Sequence, residues 1–248
     1  MEHIASLSYG KDSLAMLEAI KILGLPLDRI VTAEVWATET VPAEFPEMVE
    51  FKKKADQIIL DRYGIKVEHF RSKNTYDSSF HKIRTRGNHV GTIYGWPTAK
   101  GKWCLRDLKL DVLEKLDFPD TVKYLGIAAD EPDRISRDYK NARLPLVEIG
   151  WDEAYCRKWC EENDLLSPIY TDSARGGCWF CHGQGLEQLR LLRKNHPELW
   201  KMMLLWDSES PVPFRSDWHT IHDLDRRFDL EDKGLVPLDR KFRWKMID

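Results

Sequence analysis

Ser8-Tyr9-Gly10-Lys11-Asp12-Ser13 is the stretch of this chain that decides its fold. The apolar run of residues 4–7 precedes it, and the run Leu14-Ala15-Met16-Leu17-Glu18-Ala19-Ile20 follows it. This order predicts a strand, a tight polar turn and a helix. Such a turn leaves backbone N–H groups unpaired at the start of the helix, where the helix dipole also favours negative charge. Because the turn adds a glycine, a lysine and serine hydroxyls, it predicts a phosphate-binding site; an ordinary strand-to-helix turn is the alternative.

The residues that follow predict strands alternating with helices. Residues 30–36 are rich in β-branched side chains and predict a second strand, and residues 43–63 carry apolar side chains at helical spacing. Residues 65–70 predict a third strand, residues 105–116 a helix and residues 122–127 a fourth strand. This order predicts an α/β, Rossmann-like fold, in which a parallel sheet is flanked by helices and ligands bind at the carboxyl ends of the strands.

The second half of the chain is predicted to be mainly helical. The elements expected there are a short extended segment at 145–148, a helix over 152–163, and helices over about 186–206 and 221–233. We therefore divide the chain into an α/β domain, residues 1–165, and a cysteine-loop and helical C-terminal region, residues 166–248.

Composition excludes several classes of protein. The chain has 248 residues, of which 42% are hydrophobic and 32% charged, and its net charge is −3. No global positive field therefore attracts nucleic acid, and no apolar run approaches the ~20 residues that cross a bilayer. The N-terminus lacks the basic and apolar regions of a signal peptide, so we expect a cytoplasmic protein. In that reducing compartment, five cysteines favour metal, cluster or redox chemistry over disulfides.

Residues 71–102 follow neither a helical nor a strand pattern and predict a long loop. The segment interleaves basic residues with aromatic ones, namely Tyr76, Phe80, Tyr94 and Trp96. Basic and aromatic side chains together suit a nucleotide or a single-stranded nucleic acid. A solvated insertion with scattered aromatics fits the same pattern equally well.

Four segments, in order, resemble the phosphoadenosine-phosphosulfate (PAPS) reductase branch of the PP-loop ATP pyrophosphatase superfamily, whose members are adenine nucleotide alpha hydrolase-like. Residues 8–13 resemble its S-G-G-K-D-S signature, with Tyr9 in place of the first glycine. The other matched segments are Thr38-Glu39-Thr40 with Glu44-Phe45-Pro46-Glu47, Gly126-Ile127-Ala128-Ala129-Asp130-Glu131 with Arg134, and Ser167-Pro168-Ile169-Tyr170 with Gly177-Cys178-Trp179-Phe180-Cys181. The resemblance implies a PP-loop (HUP-type) parallel sheet. The helices beyond it look like the C-terminal extension of small phage- and prophage-associated members.

The resemblance also implies a nucleotide site. ATP or a related adenine nucleotide, with Mg²⁺, would place its phosphates on Ser8, Tyr9, Gly10, Lys11, Asp12 and Ser13. Lys11 would stabilise the charge that develops when the bond between the α- and β-phosphates breaks. Asp12 is implied either to assist the magnesium ion or to cap the helix. Thr38 belongs to the implied contacts, and Glu131 and Arg134 are either further nucleotide contacts or a structural ion pair.

Three cysteines match the ligands of a [4Fe–4S] cluster in that family, namely Cys104, Cys178 and Cys181. Trp103 occupies the place of a further cysteine. Three thiolates suit a cluster with one open iron or a zinc site completed by another group, and three free thiols are also consistent. Candidates for a fourth ligand are Cys160, Cys156 and His182, although the resemblance favours core packing for Cys156 and Cys160, because the reductases have buried apolar residues at these helical positions.

The resemblance implies an enzyme that adenylylates an oxygen, releases pyrophosphate and supports sulfur transfer through the cysteine centre. Related cluster-bearing members thiolate tRNA or the DNA backbone, so a nucleic-acid acceptor that contacts residues 71–102 is expected. One alternative is a sulfonucleotide reductase. The reductases carry a nucleophilic cysteine in a C-terminal E-C-G-x-H segment, and here no cysteine follows Cys181. Another is a non-catalytic nucleotide sensor with a structural zinc.

Overall fold

The computed structural model of the chain describes residues 1–87, 89–98, 102–115, 120–172, 177–215 and 219–238. Within these residues five strands form one sheet in the order β3-β2-β1-β4-β5, and every pair of neighbours is parallel. The strands are β1 (Glu2–Ser6), β2 (Arg29–Glu34), β3 (Val67–Arg71), β4 (Thr121–Tyr124) and β5 (Ala142–Arg143). The prediction of an α/β fold with a parallel sheet flanked by helices is confirmed.

Helices connect and follow the strands. They are α1 (Lys11–Ile22), α2 (Pro46–Tyr63), α3 (Tyr76–Phe80), α4 (Trp103–Leu105), α5 (Asp111–Glu114), α6 (Pro132–Ile135), α7 (Pro145–Ile149), α8 (Glu153–Glu162), α9 (Ile169–Asp172), α10 (Leu186–Asn195), α11 (Pro197–Glu209) and α12 (Ile221–Asp232). A π-helical turn, Arg106–Leu110, joins α4 to α5. In the described part of the chain, each helix is too short or too polar to cross a bilayer.

Two helix predictions from the sequence are corrected by the structure. Residues 145–148, expected to be extended, form α7, because Pro145 suits the first helical turn and Gly150 ends the helix in the left-handed conformation with φ 75°. The helix expected over 186–206 is two helices. Pro197 lacks the N–H that would continue α10, and it begins α11 instead.

The prediction of a structureless loop over residues 71–102 is wrong for the described residues of that segment. Thr75 caps α3 by accepting a hydrogen bond from the Ser78 N–H at 3.1 Å, and Ile83 pairs with Ile93 in an antiparallel bridge. Three of its four aromatic side chains are fully buried, namely Tyr76, Phe80 and Trp96. They are therefore part of a core and cannot stack on bases.

The buried apolar residues form two separate cores. The first lies between the sheet and α1, α2 and α8, and includes Leu14, Met16, Ile30, Phe51 and Trp159. The second is aromatic and joins α3 and the π turn to α10, α11 and α12; it includes Tyr76, Trp96, Trp179, Phe180 and Trp206. Because the rings of Trp179 and Trp206 stack at 5.5 Å, the second core holds the cysteine loop against the C-terminal helices.

Candidate functional site

The turn between β1 and α1 is folded by its own serines. The Ser13 hydroxyl oxygen accepts hydrogen bonds from the Ser8 N–H at 3.1 Å and the Ser8 hydroxyl at 3.0 Å. The Ser13 hydroxyl in turn donates to the Gly10 carbonyl at 3.0 Å. These bonds hold the turn in one shape, with the N-terminus of α1 at its end.

Tyr9 has a left-handed backbone, with φ 56°. Glycine adopts this conformation without strain, whereas other residues do so at a cost of about 1–2 kcal/mol. The tyrosine ring is fully buried, its hydroxyl donates to Asp56 Oδ1 at 2.5 Å, and the Lys52 ammonium lies 4.7 Å from the ring centroid. These contacts with α2 offset the strain and attach the turn to the domain.

Gly126, just after β4, permits a close approach to the start of α1. A Cβ at this position would lie 2.7 Å from Ser13 Cα and 2.8 Å from Ser13 N. Both are backbone atoms, so they cannot rotate away. The turn and the loop after β4 therefore form adjacent walls of one cavity only because residue 126 has no side chain.

Lys11, the predicted catalytic residue, is buried in an ion-pair cluster. Its ammonium donates to Asp12 at 2.7 and 3.0 Å and to Glu153 Oε2 at 3.0 Å. Burial by itself lowers the pKa of Lys11, but the hydrogen bonds and charges of the two carboxylates raise the pKa overall. Burial raises the pKa of Asp12 despite its bond to Lys11, and the Glu153 charge adds to the rise. Lys11 therefore stays protonated at neutral pH.

A cavity of about 250 Å³ lies beside this turn. It is lined by Ser8, Tyr9, Gly10, Asp12, Ser13, Ala33, Val35, Glu44, Met48, Lys109, Gly126, Arg134, Ile169, Tyr170, Gly177 and Cys178. The first five belong to the predicted phosphate loop, and Cys178 is one of the predicted metal ligands. The structure thus brings the loop and a cysteine to one cavity. Lys109 and Arg134 add positive charge to its lining and Asp12 and Glu44 add negative charge, whereas Lys11 is not among the lining residues.

The remaining predicted nucleotide contacts are Glu131, Arg134 and Thr38, and of these Arg134 lines the cavity. Glu131 accepts two hydrogen bonds from Arg134 Nη1, at 2.7 and 2.9 Å, and one from the Ala128 N–H at 3.1 Å. The ion pair is therefore formed, and Arg134 reaches the cavity as well. The Thr38 hydroxyl accepts from the Val41 N–H at 3.1 Å and closes a turn, and Thr38 does not line the cavity.

Tyr170 contacts the phosphate loop directly, although the sequence reasoning did not select it as a site residue. Its hydroxyl oxygen accepts a hydrogen bond from the Lys11 backbone N–H at 3.1 Å. That N–H is one of the donors that have no partner within α1 itself, at the place where an anion would bind. The signal in the sequence was the segment that contains Tyr170, matched to the family but given no role.

Tyr76 lies between the two segments that carry the predicted metal ligands. Its ring centroid is 3.9 Å from that of Phe180, which stands between Cys178 and Cys181. On another side it is 5.0 Å from the ring of Trp103, which precedes Cys104. Cys104 and the Cys178–Cys181 loop, more than 70 positions apart in sequence, are therefore carried on segments that both pack against one buried tyrosine.

The environment of Cys104 and Cys178 disfavours the ionised form of their thiols. Burial raises the pKa of Cys104 to about 11, and the neighbouring Cys181 adds to the rise. Burial likewise raises the pKa of Cys178 to about 12, against the lowering effect of the Lys109 charge. Both thiols are protonated at neutral pH, so a metal would have to displace their protons on binding.

The three cysteines have sulfur atoms of the type that binds zinc or iron, but the structure does not hold them in a finished metal-binding geometry. Among the described residues, no three His, Cys, Asp or Glu side chains lie close enough together to hold a metal ion as they stand. The donors are three soft sulfur atoms, and the Gly183 N–H points to Cys181 Sγ at 3.4 Å, as outer-shell donors do at thiolate sites. Two buried donors, Tyr76 Oη and Trp103 Nε1, have no hydrogen-bond partner within the described part of the chain. Rotation of the cysteine side chains would be needed to complete the site.

The three candidates for a fourth ligand differ in how close they lie to Cys104, Cys178 and Cys181. Cys156 and Cys160 belong to the first core, whereas Cys104 and Cys178 pack against the second. The Cys160 thiol donates to the Lys11 carbonyl at 3.3 Å, which places it behind the phosphate loop. His182 directly follows Cys181 and is half-buried.

No protein-family model matches this chain, and searches of curated proteins and of solved structures find no significant match to it.

Proposed function

We propose that this chain is a PP-loop enzyme of the PAPS reductase family that binds ATP or a related adenine nucleotide with Mg²⁺. It would adenylylate an oxygen of its acceptor and release pyrophosphate, and sulfide-level sulfur carried at the cysteine centre would then replace that oxygen, with AMP as the leaving group. The enzyme class is a nucleotide-dependent transferase, acting in the cytoplasm. The resemblance of four ordered segments to that family supports the proposal.

One observation carries the proposal: the phosphate loop and Cys178 line the same cavity. Adenylylation and sulfur transfer must act on the same acceptor atom, so the nucleotide and the sulfur donor have to reach one place. A cavity that had the loop alone would suit nucleotide binding but would not link it to thiol chemistry. Lys109 and Arg134 also line this cavity and would offer positive charge to a triphosphate, alongside the carboxylates of Asp12 and Glu44.

Each residue of the loop has a role that follows from its contacts. The backbone N–H groups at the start of α1 bind phosphate oxygens, and the first of them exchanges the Tyr170 hydroxyl for phosphate. The Lys11 ammonium, charged at neutral pH, stabilises the negative charge on the leaving pyrophosphate. Asp12 orients that ammonium through its two hydrogen bonds.

The cysteine centre would be held by Cys104, Cys178 and Cys181, as a [4Fe–4S] cluster or a zinc ion. When bound, it supplies a site that carries sulfur, and in the zinc case a structural link. The protein contributes the enclosed position beside the nucleotide and the protons that the thiols release.

The proposed acceptor is a nucleic acid, tRNA or DNA, that reaches the cavity past residues 71–102. Because Tyr76, Phe80 and Trp96 are buried, this segment would bind the phosphate backbone through its exposed basic side chains, which include Lys73, Lys82 and Arg86. Such binding would weaken steeply as the salt concentration rises.

Pyrophosphate release from ATP tests the proposal, with candidate acceptors added to anaerobically purified protein. We expect Lys11→Ala to lower the rate by about 10²-fold or more, since it removes a charge that acts on the transition state. Lys53→Ala, at a lysine whose side chain is 68% exposed, is the matched control and should keep the wild-type rate. Thermal unfolding shows whether Lys11→Ala is folded, and Lys109→Ala tests the cavity itself, which Lys109 lines and Lys11 does not.

Three other results would contradict the proposal in distinct ways. Release of sulfite from PAPS would identify a sulfonucleotide reductase. Tight nucleotide binding with no turnover would identify a sensor. Absence of both iron and zinc from anaerobically purified protein would remove the thiolate centre.

A further inference from the structure

His69 lies between two carboxylates that belong to neighbouring elements. Its ring nitrogen Nδ1 is 2.7 Å from Glu34 Oε1 at the end of β2, and its Nε2 is 2.9 Å from Asp56 Oδ2 on α2. Ionised carboxylates only accept hydrogen bonds, so both ring nitrogens have to donate. A neutral imidazole has a single N–H, and the geometry therefore assigns the charged form to His69.

Asp56 connects this histidine to the phosphate loop. Its second oxygen, Oδ1, accepts the hydrogen bond from the Tyr9 hydroxyl at 2.5 Å. One carboxylate thus holds the loop on one side and the imidazolium on the other. If His69 lost its proton, one of the two carboxylates would face a nitrogen lone pair and lose its hydrogen bond. The network of Glu34, His69, Asp56 and Tyr9 therefore joins β2, β3 and α2 to the turn that opens α1.

The loop depends on this anchor because of the backbone of Tyr9. At φ 56° the residue is in the left-handed region, which is disfavoured by roughly tenfold for a residue with a Cβ. A glycine at this position would need no anchor. Without its hydrogen bond to Asp56, the turn would occupy other shapes for part of the time. The apparent affinity for an anion falls by the fraction of the protein that keeps the binding shape.

The other charged groups around the network have partners of their own. Lys52, on α2, places its ammonium 4.7 Å from the centroid of the Tyr9 ring and 2.6 Å from Glu44 Oε2. Arg71, two residues along β3 from the histidine, donates to Glu39 at 3.1 Å. The proton on His69 is then the charge of this network that solution pH can remove without breaking another ion pair.

We propose that Asp56 and His69 are positioning residues of the phosphate loop, which keep it in its anion-binding shape through the Tyr9 hydroxyl while His69 carries its proton. Neither residue lines the cavity, so both act through Tyr9 and not on the phosphates. This inference rests on the proposed function, because it requires the loop to bind a nucleotide. It goes beyond that function by linking phosphate affinity to the protonation of a residue outside the cavity.

The direction of the pH dependence follows from the same contacts. The hydrogen bonds to Asp56 and Glu34 raise the pKa of His69 to about 9, and its side chain is 31% exposed, so it exchanges protons with the solvent. The proton is present at neutral pH and is lost as the pH rises through 9. The pKa of Lys11 is raised above its ordinary value, so its ammonium keeps its charge over this range. Affinity for a phosphate ligand should therefore fall on the alkaline side.

ATP affinity of the full-length chain at two pH values tests the inference. ATP with Mg²⁺ is titrated calorimetrically at pH 7.5 and 9.5 into the wild type, Tyr9→Phe, His69→Asn and Tyr63→Phe. Tyr63 is the matched control, because its hydroxyl also donates to a carboxylate, Glu18 Oε2 at 2.9 Å, but links α2 to α1 and not to the loop. Both tyrosine variants lose one hydroxyl and keep the ring.

We expect Tyr9→Phe and His69→Asn to bind ATP about tenfold more weakly than the wild type at pH 7.5. The wild type and Tyr63→Phe should lose about threefold in affinity between pH 7.5 and 9.5, since about a quarter of His69 keeps its proton at the higher pH. Tyr9→Phe and His69→Asn should bind equally at both pH values, because the link between the proton and the loop is cut.

The outcomes separate this inference from the proposed function. If the wild type binds ATP and all variants share its affinity and pH profile, the inference is overturned and the nucleotide site stands. Weaker binding by Tyr9→Phe and His69→Asn with the wild-type pH dependence intact would also overturn it, since the residues would then only support the fold. His69→Asn, at a part-exposed position, decides the matter if Tyr9→Phe does not fold. If the wild type binds no ATP, the proposed function and the inference both fail.

Discussion

Substitution of Gly126 tests whether a close backbone approach builds the cavity. The Cβ of an alanine would lie 2.7 Å from Ser13 Cα, 2.8 Å from Ser13 N and 3.0 Å from the Asp12 carbonyl carbon. Carbon atoms pack at about 3.5–4.0 Å, so the first turn of α1 has to move by roughly 1 Å. Overpacking of this kind destabilises a protein by about 1–3 kcal/mol.

For a chain of this size, 1 kcal/mol lowers the melting temperature by about 2–4 °C, so Gly126→Ala should lower it by roughly 2–12 °C. The displaced turn carries the N–H groups proposed to bind phosphate. A misplacement of about 1 Å in a binding loop weakens function by up to about 10²-fold. We therefore expect the affinity for ATP, measured by calorimetry, to fall by about tenfold or more.

Gly177→Ala is the control for the stability measurement. Gly177 lines the same cavity, has no positive φ, and an added Cβ would meet no atom within 4 Å. Its melting temperature should equal that of the wild type or exceed it slightly. If Gly126→Ala melted and bound ATP like the wild type, the argument from close approach would be refuted.

Two further predictions concern the network that anchors the turn. Tyr9→Gly should destabilise the protein by roughly 2–4 kcal/mol in urea unfolding, because loss of the buried ring outweighs relief of the left-handed backbone; a stabilised variant would contradict this. His69 bonds Asp56 at 2.9 Å and Glu34 at 2.7 Å, and these bonds raise its pKa to about 9. Since its folded pKa exceeds the unfolded value, its contribution is complete below about pH 6.5 and lost as pH rises through 9. The wild type should therefore lose stability relative to His69→Asn between pH 6 and 9.5, and parallel urea-unfolding curves for the two proteins would disprove it.

Local patterns predicted the part of the fold that depends on neighbours in sequence. The strands around residues 30 and 67, α1, α2 and α8 were all expected, because periodic apolar residues and caps such as Asp152 act within one element. The failures came where tertiary packing decides the structure. Tyr76, Phe80 and Trp96 looked like an exposed basic and aromatic loop, since the partners that bury them are α11 and the residues near Phe214, more than 100 positions away.

The candidate site also has one part that the sequence predicted and another that it did not. The phosphate loop could be recognised from six consecutive residues, because a turn at a helix start is a local structure. The roles of Tyr170 and Glu153 could not, since each reaches Lys11 across more than 140 positions of chain. Spacing gives no information about such contacts.

The sequence by itself determined the alternation of strands and helices and the position of the turn that opens α1, because these follow from periodicity and backbone preferences within a few residues. Only the tertiary structure decided that Cys178 shares a cavity with that turn and that Trp103 and Phe180, the neighbours of the predicted cysteine ligands, both pack against Tyr76. The physical reason is the burial of apolar rings from α3, the cysteine loop and α11 in one aromatic core. Because Cys104 and Cys178 lie next to residues of that core in sequence, they pack against it.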